Sequence, residues 1–331
     1  MEDKNQRLHV GVVGVGHMGR HHVRIVSQSP GVVLAGLCDT DPGRAAQFCS
    51  QYGCQAFETL DELLDRCDAV IVAAPTAQHR AIGEQCMARK KHVTMEKPLA
   101  DSIENAAALV ELADQAGVKL MVGHVERYNP AITALLEILR NQDEEIISID
   151  TRRLAPFDGS RCLDVDVLYD LLIHDIDLTL EIESSDIVRV SATGRPVFST
   201  EMDVAHAMIE FSNGACAVFW VGKCSPRKVR AVTVTTRSRY LVADTLQNTL
   251  TVHTAEELPA IEQGICFMGE LCSEEIPIPK REPLRVELED FFAAIREDRP
   301  PLVHGKRALA GLKALDLVAR SVSEQREIVR H

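Results

Sequence analysis

Three glycines, Gly14, Gly16 and Gly19, stand in the spacing Gly-x-Gly-x-x-Gly between an apolar run and a helix-forming stretch. That spacing suits a diphosphate. The first glycine allows a tight turn, the second lets main chain approach phosphate, and the third lets helix pack close to strand. The following helix points its N–H groups at the anion. His17 and Met18 lie inside the turn and are expected to line the cofactor. Asp39 ends the next apolar run, about 20 residues on, where a carboxylate accepts ribose hydroxyls. A 2′-phosphate would be repelled there, so NAD is expected over NADP. His17, His21 and His22 cluster at the helix start, but no carboxylate or cysteine completes a metal set, so a solvated helix end beside the cofactor is expected. Ten cysteines include no Cys-x-x-Cys pair, and several sit in strand-like runs. They read as reduced thiols acting as small hydrophobes.

The elements that must hold these residues alternate at first. Strand signals at 8–15, 32–39, 69–74, 92–95 and 119–123 are separated by helical stretches at 18–28, 41–52, 60–67, 77–89 and 102–116. Ser102 is a candidate N-cap and Gly117 a stop. This alternation implies an α/β Rossmann domain with a doubly wound parallel sheet. After Gly123 the pattern changes. A helix at 130–140, a strand at 146–153 and a helix at 165–182 precede extended runs at 188–198, 204–211, 215–221, 229–235, 240–244 and 249–252. Asn213-Gly214 is a hairpin turn signal. Strands in succession imply an α+β domain with a large, mostly antiparallel open sheet. Two helices, 284–296 and 306–323, close the chain. The expected domains are residues 1–123 and 124–331, the last helices being free to pack back on the first domain.

Length supports two cores, since 331 residues exceed the roughly 250–300 that one core holds. The net charge of −13 argues against non-specific binding to nucleic acid or anionic membrane. No signal-type apolar core follows residues 1–7, and the longest apolar runs fall far short of the ~20 residues of a membrane span. A cytoplasmic protein with no nucleic-acid or membrane partner is expected.

Glu96-Lys97-Pro98 at the end of a strand, downstream of the glycine fingerprint and of Pro75-Thr76-x-x-His79, resembles the glucose–fructose oxidoreductase / inositol dehydrogenase / MocA (Gfo/Idh/MocA) family. The resemblance covers nearly the whole chain and implies that Pro75, Thr76, His79, Glu96 and Lys97 border the cofactor. It also implies an Asp-x-x-x-His on the first long helix of the second domain, which Asp170 and His174 supply. Positions four apart share a helix face, so a carboxylate there can orient an imidazole for proton transfer near neutral pH. Lys97, Asp170 and His174 are the implied catalytic groups. Homodimers or homotetramers formed sheet to sheet are implied as well.

A narrower resemblance is to the UDP-N-acetylglucosamine 3-dehydrogenase branch, carried by residues 123–131 (GHVERYNPA), by Arg153 to Pro156, by Arg161 and by Asp164 to Val167. It implies oxidation of a sugar 3-hydroxyl to a ketone that a PLP-dependent aminotransferase then consumes. Arg127, Arg153 and Arg161 suit a diphosphate, and Tyr128 and Asn129 suit sugar hydroxyls or an acetamido group. The chain departs from that branch at Tyr128, where Phe is usual, and at Asp166, where Gly is usual. Two other readings stay open: a dehydrogenase of a free sugar or inositol, and an NAD-binding sensor without turnover.

Overall fold

The computed structural model describes residues 7–141, 144–158, 166–255 and 271–329. The chain forms two compact units, Met1–Val125 with Glu282–Leu312, and Glu126–Arg281 with Lys313–His331.

The first unit begins with β1 (Leu8–Val13), α1 (Gly19–Gln28), β2 (Val32–Cys38), α2 (Pro42–Tyr52), β3 (Gln55–Phe57), α3 (Leu60–Leu64), β4 (Ala69–Val72), α4 (His79–Ala88), β5 (His92–Glu96), α5 (Ile103–Ala116) and β6 (Leu120–Gly123). The strands lie in the order β3-β2-β1-β4-β5-β6, and each pairs in parallel with its neighbours. The sequence explains this directly. Val10, Val12, Val70, Ile71, Val93, Met95, Met121 and Val122 are buried, the near-continuous apolar run of strands covered on both faces. Local signals set the helix ends. Asp41 caps α2 by accepting from Arg44 N, Thr59 and Glu62 form a reciprocal capping box on α3, and Ser102 accepts from Asn105 N at the start of α5. Gly53 and Gly117 end α2 and α5 in the left-handed region. Three-residue β3 carries too little pattern to be foreseen.

The second unit carries α6 (Pro130–Arg140), β7 (Ile146–Leu154), α7 (Ile173–Ile182), β8 (Ile187–Arg195), β9 (Val204–Phe211), β10 (Cys216–Gly222), β11 (Val229–Thr236), β12 (Arg239–Asp244), β13 (Thr249–Ala255) and β14 (Leu271–Ile276). The chain then returns to the first unit through α8 (Pro283–Arg296). It runs on through α9 (Gly305–Glu324) and ends in β15 (Ile328–Val329) of the second. The nine strands follow the order β14-β13-β12-β11-β7-β10-β9-β8-β15. Among the described residues, only the β7–β10 neighbours run parallel. So the expected α+β domain with a mostly antiparallel sheet is present. Gly214, at φ +92, makes the turn between β9 and β10 that Asn213-Gly214 signalled. Leu284, Leu288, Phe291 and Phe292 of α8 enter the same core as Val10, Val12, Val23 and Ile25. A segment distant in sequence thus completes the packing behind the glycine turn.

Candidate active site

The glycine turn is built as its spacing requires, and each glycine has a different reason to be there. Gly14 has φ +84, and a Cβ on it would stand 2.7 Å from the Ala73 carbonyl oxygen. A Cβ on Gly19 would stand 1.9 Å from the Gly14 carbonyl oxygen, so helix and turn touch there. Around Gly16 a Cβ would meet no protein atom within 4 Å. Gly16 is therefore not demanded by packing, and the room beside it is what a phosphate needs. Helix α1 has no side-chain cap and no acidic residue in its first turn, so no carboxylate of the protein competes with an anion at the positive end of the helix.

Asp39 follows β2 with a side chain only 4% exposed. Its Oδ2 accepts from Val15 N at 2.7 Å and its Oδ1 from Asp41 N at 2.8 Å. These bonds fix the carboxylate against the turn and leave lone pairs for hydroxyl donors. The Arg44 guanidinium approaches Asp39 to 3.6 Å and is itself 45% exposed. The residues present therefore fit a dinucleotide: room at Gly16, a helix end that no acidic side chain occupies, and a fixed carboxylate at the ribose position.

At the neighbouring sheet edge, Pro75 is exposed, Thr76 begins a single 3-10 turn and Lys97 follows β5, partly exposed. His79 departs from its expected contact with cofactor. It is fully buried, with Nδ1 3.0 Å from the Pro98 carbonyl oxygen and Nε2 3.0 Å from that of Ala74. The ring thus braces the loop after β4 against the loop after β5. His22 also differs from expectation. The solvated cluster holds for His17, which is exposed, and in part for His21, whose ring meets that of His17 edge-on at 5.9 Å. His22 is fully buried and its Nε2 donates to Glu96 Oε1 at 2.7 Å. Burial resists ionisation of Glu96, but the bond and charge of His22, with Lys97 beside it, keep that carboxyl below its ordinary value. The pair ties the helix of the glycine turn to the strand end that carries Lys97. It escaped sequence reading because 74 residues separate the partners.

In the second unit, Asp170 and His174 lie where helix geometry changes. Residues Leu168–Leu172 form a π turn in which Ile173 N–H reaches back to the Leu168 carbonyl, and α7 continues from there. The expected uniform α-helix is therefore widened at its first turn. Such turns recur at functional sites because they re-aim side chains without breaking the helix. Asp170 and His174 are both half-buried.

Arg153 is 3% exposed. Its Nε and Nη2 meet Asp175 Oδ1 at 2.8 and 2.7 Å, and its Nη1 meets Glu126 Oε1 at 2.9 Å. Burial opposes the charge on Arg153, yet the two carboxylates outweigh it and raise its pKa. Burial likewise opposes ionisation of Glu126, but Arg153 holds its carboxyl below the ordinary value. Asp175, more deeply buried, is pushed up despite the same arginine. Arg127 is 2% exposed and faces Glu181 at 2.5 Å and Asp177 at 3.8 Å. Both guanidinium groups thus face carboxylates of the protein, where a diphosphate had been expected. Asn129 caps α6 through Ala131 N and donates to the Thr245 carbonyl, so both ends of its amide serve main chain. Tyr128 is buried, and Arg161 lies outside the described residues. No group of three His, Cys, Asp or Glu suited to a metal occurs among the described residues. Nor is any described helix long and apolar enough to cross a membrane.

Residues 8–124 match the oxidoreductase family with the NAD-binding Rossmann fold, and residues 149–243 match the GFO/IDH/MocA C-terminal domain. The chain is 34% identical over 314 residues to UDP-N-acetylglucosamine 3-dehydrogenase of Acidithiobacillus ferrooxidans, covering 92% of this chain and 94% of that one. This chain belongs to the Gfo/Idh/MocA family. A solved structure of the Acidithiobacillus ferrooxidans enzyme superposes with a TM-score of 0.87 at 32% identity, covering 96% of this chain and 98% of the other. Myo-inositol 2-dehydrogenase of Thermotoga maritima is 24% identical over 97% of this chain and 98% of its own. Membership makes the protein an NAD-binding oxidoreductase.

Proposed function

We propose that the protein oxidises a secondary alcohol of a sugar, with the 3-hydroxyl of UDP-N-acetylglucosamine as first candidate. The observation that supports this most is the 34% identity with UDP-N-acetylglucosamine 3-dehydrogenase, sustained along nearly the full length of both chains. Gly14, Gly16 and Gly19 hold the cofactor diphosphate, with His17 and Met18 beside it, and Asp39 holds the adenosine ribose. Its carboxylate disfavours a 2′-phosphate, which selects NAD. Pro75, Thr76, Glu96 and Lys97 border the nicotinamide end. Bound NAD supplies the acceptor for the hydride that leaves the carbinol carbon.

The chain's own groups manage the proton. His174 takes the hydroxyl proton as the C–O bond becomes a carbonyl, and Asp170 orients the imidazole and stabilises its charged form. Lys97 donates a hydrogen bond to the same oxygen and stabilises its developing negative charge. Lys97 and His174 both have the chemistry of a base. His79 and the His22–Glu96 pair position the loops around Lys97. Product ketone passes to a PLP-dependent aminotransferase, and copies of the chain assemble through the open sheet.

One observation favours the second reading, a free sugar or inositol as substrate. Arg127 and Arg153 are matched by buried carboxylates, which leaves few cations for a substrate diphosphate. The deciding experiment incubates the protein with NAD⁺ and UDP-N-acetylglucosamine, adds a 3-aminotransferase with glutamate to draw off ketone, and follows NADH absorbance and product mass. NADH with a UDP-3-amino sugar is the expected result. Turnover only of inositols or free sugars would replace the substrate, and intact NAD binding without turnover of any sugar would favour a sensor.

A further inference from the structure

Helix α1 does two things in its first turns. It starts at Gly19, the last glycine of the turn, and one turn further on it sends His22 to a neighbouring strand end. Helical side chains lean toward the N-terminus of their helix, so the ring lies over the part of α1 nearest the glycine turn. His22 is fully buried, its Nε2 donates to Glu96 Oε1 at 2.7 Å, and the Glu96 side chain is 13% exposed.

Glu96 is the last residue of β5, and Lys97 follows it directly. The far side of the carboxylate is confined as well. Gly123 pairs with Glu96 in the sheet, and a Cβ there would stand 3.2 Å from Glu96 Oε2. The main-chain N–H of Lys97 donates to the same carboxylate. The titratable groups acting on Glu96 are His22 from α1 and Lys97 beside it. Strand β6 meets it with glycine, and His124 after that glycine is buried.

A buried carboxylate stays ionised only where donors replace the lost water. Burial alone would push Glu96 up, and the His22 hydrogen bond leads the interactions that hold it down. The charge matters to its neighbour. Lys97 uses an ammonium to donate to the oxygen of the reacting alcohol, and an adjacent anion compensates that buried positive charge. A neutral Glu96 would withdraw the compensation and weaken the bond that fixes the Lys97 main chain.

We propose that His22 is a positioning residue of the reaction: by donating to Glu96 it keeps that carboxylate ionised and fixed, and the carboxylate holds Lys97 in place for the substrate oxygen. This rests on the sugar-oxidoreductase reading above and adds to it a lower pH bound on turnover, set from the helix of the glycine turn. The sign follows from the burial of Glu96. Without the His22 donor, Glu96 takes up its proton at higher pH, and turnover fails where the wild type still works.

The test uses His22→Leu, which removes the donor, and His22→Gln, which keeps an N–H. Infrared difference spectra against pH read the protonated carboxyl directly, and its absence in a variant that also carries Glu96→Gln assigns it. Turnover is followed as kcat against pH with UDP-N-acetylglucosamine and with myo-inositol, and NADH affinity by fluorescence titration. His22→Leu is expected to show a protonated carboxyl at neutral pH that the wild type lacks. It is expected to move the acid limb of the kcat profile up by about one pH unit or more, with NADH affinity kept within about threefold. His22→Gln is expected to bring the limb most of the way back. In the Glu96→Gln background, His22→Leu is expected to move the limb no further. Should His22→Leu fail to fold, His22→Phe, which keeps a ring and removes the donor, carries the same readings.

A limb that stays in place, or a kcat loss of the same factor at every pH, would overturn the proposal and leave His22 a packing residue. Wild-type turnover of sugar with an unmoved limb in the variants sinks this inference alone. A wild type that turns over no sugar sinks the reaction instead, and the infrared titration then decides. A Glu96 proton gained at neutral pH in His22→Leu supports the hold of His22 on Glu96, and an unchanged spectrum overturns it.

Discussion

At the scale of single residues, the glycine turn separates two roles that one motif conceals. Gly19 is demanded by protein, with the Gly14 carbonyl oxygen 1.9 Å from where a Cβ would stand, while Gly16 has open space. Gly19→Ala is therefore expected to lose about 1–3 kcal/mol of stability through overpacking. Gly16→Ala is expected to stay within about 0.5 kcal/mol of wild type and to lose about tenfold or more in NAD affinity. Denaturation curves paired with NAD titrations check both, and equal stability losses would refute the distinction. The cysteines make a second case. Burial pushes the thiols of Cys54 and Cys86 up to about 12 and that of Cys67 up to about 11, whereas Cys224 and Cys272 are exposed. The thiolate is the reactive form. Alkylation of native protein at pH 8, read by peptide mass, is expected to label Cys224 and Cys272 well before the other three.

At the scale of elements, the segment carrying Asp170 and His174 depends on the loop between β8 and β9. Val167 N–H, just before the π turn, donates to the Met202 carbonyl. Next to Met202, Asp203 is fully buried and its Oδ2 accepts from Val197, Phe198 and Ser199 N–H at 2.7–2.8 Å. Burial opposes its ionisation, but those three donors win and bring the carboxyl down to about 2. A depressed carboxylate stabilises the fold above its unfolded pKa near 4, and that contribution fades as pH falls through the folded value. Asp203→Asn is expected to cost about 2 kcal/mol at pH 6, with the gap from wild type narrowing between about pH 4 and pH 2. Urea denaturation across that range measures it, and a gap that stays constant with pH would refute the assignment. The π turn itself was not legible. Residues 165–182 carry an ordinary helical pattern, and a one-residue widening leaves no periodic mark.

At the scale of the whole molecule, one face of the nine-stranded sheet is left uncovered by the described residues. Trp220 is 41% exposed, Val218 39% and Tyr240 48%. Trp220 stacks on His206 at 5.5 Å, and Arg152 lies 6.0 Å above its ring. Aromatic and arginine side chains on an open sheet face suit a self-complementary interface. Sedimentation of the wild type is expected to give a dimer or a larger even assembly. Trp220→Glu is expected to shift it toward monomer with its NAD affinity kept. A monomeric wild type would remove the sheet-to-sheet reading.

What the sequence determined is what short range can encode. Gly14, Gly16, Gly19 and Asp39 sit within one strand–helix–strand unit, and the capping residues of α2, α3 and α5 act within four positions of themselves. Alternating strands and helices fixed the parallel sheet, and consecutive strands fixed the antiparallel one, because connection length limits topology. The tertiary structure alone decided which charged groups were already matched. Arg127 and Arg153 meet carboxylates that lie 22–54 positions away along the chain, and His22 meets Glu96 across 74. The physical reason is that a charge's role depends on the burial and partners that folding gives it, and residue type with spacing carries neither.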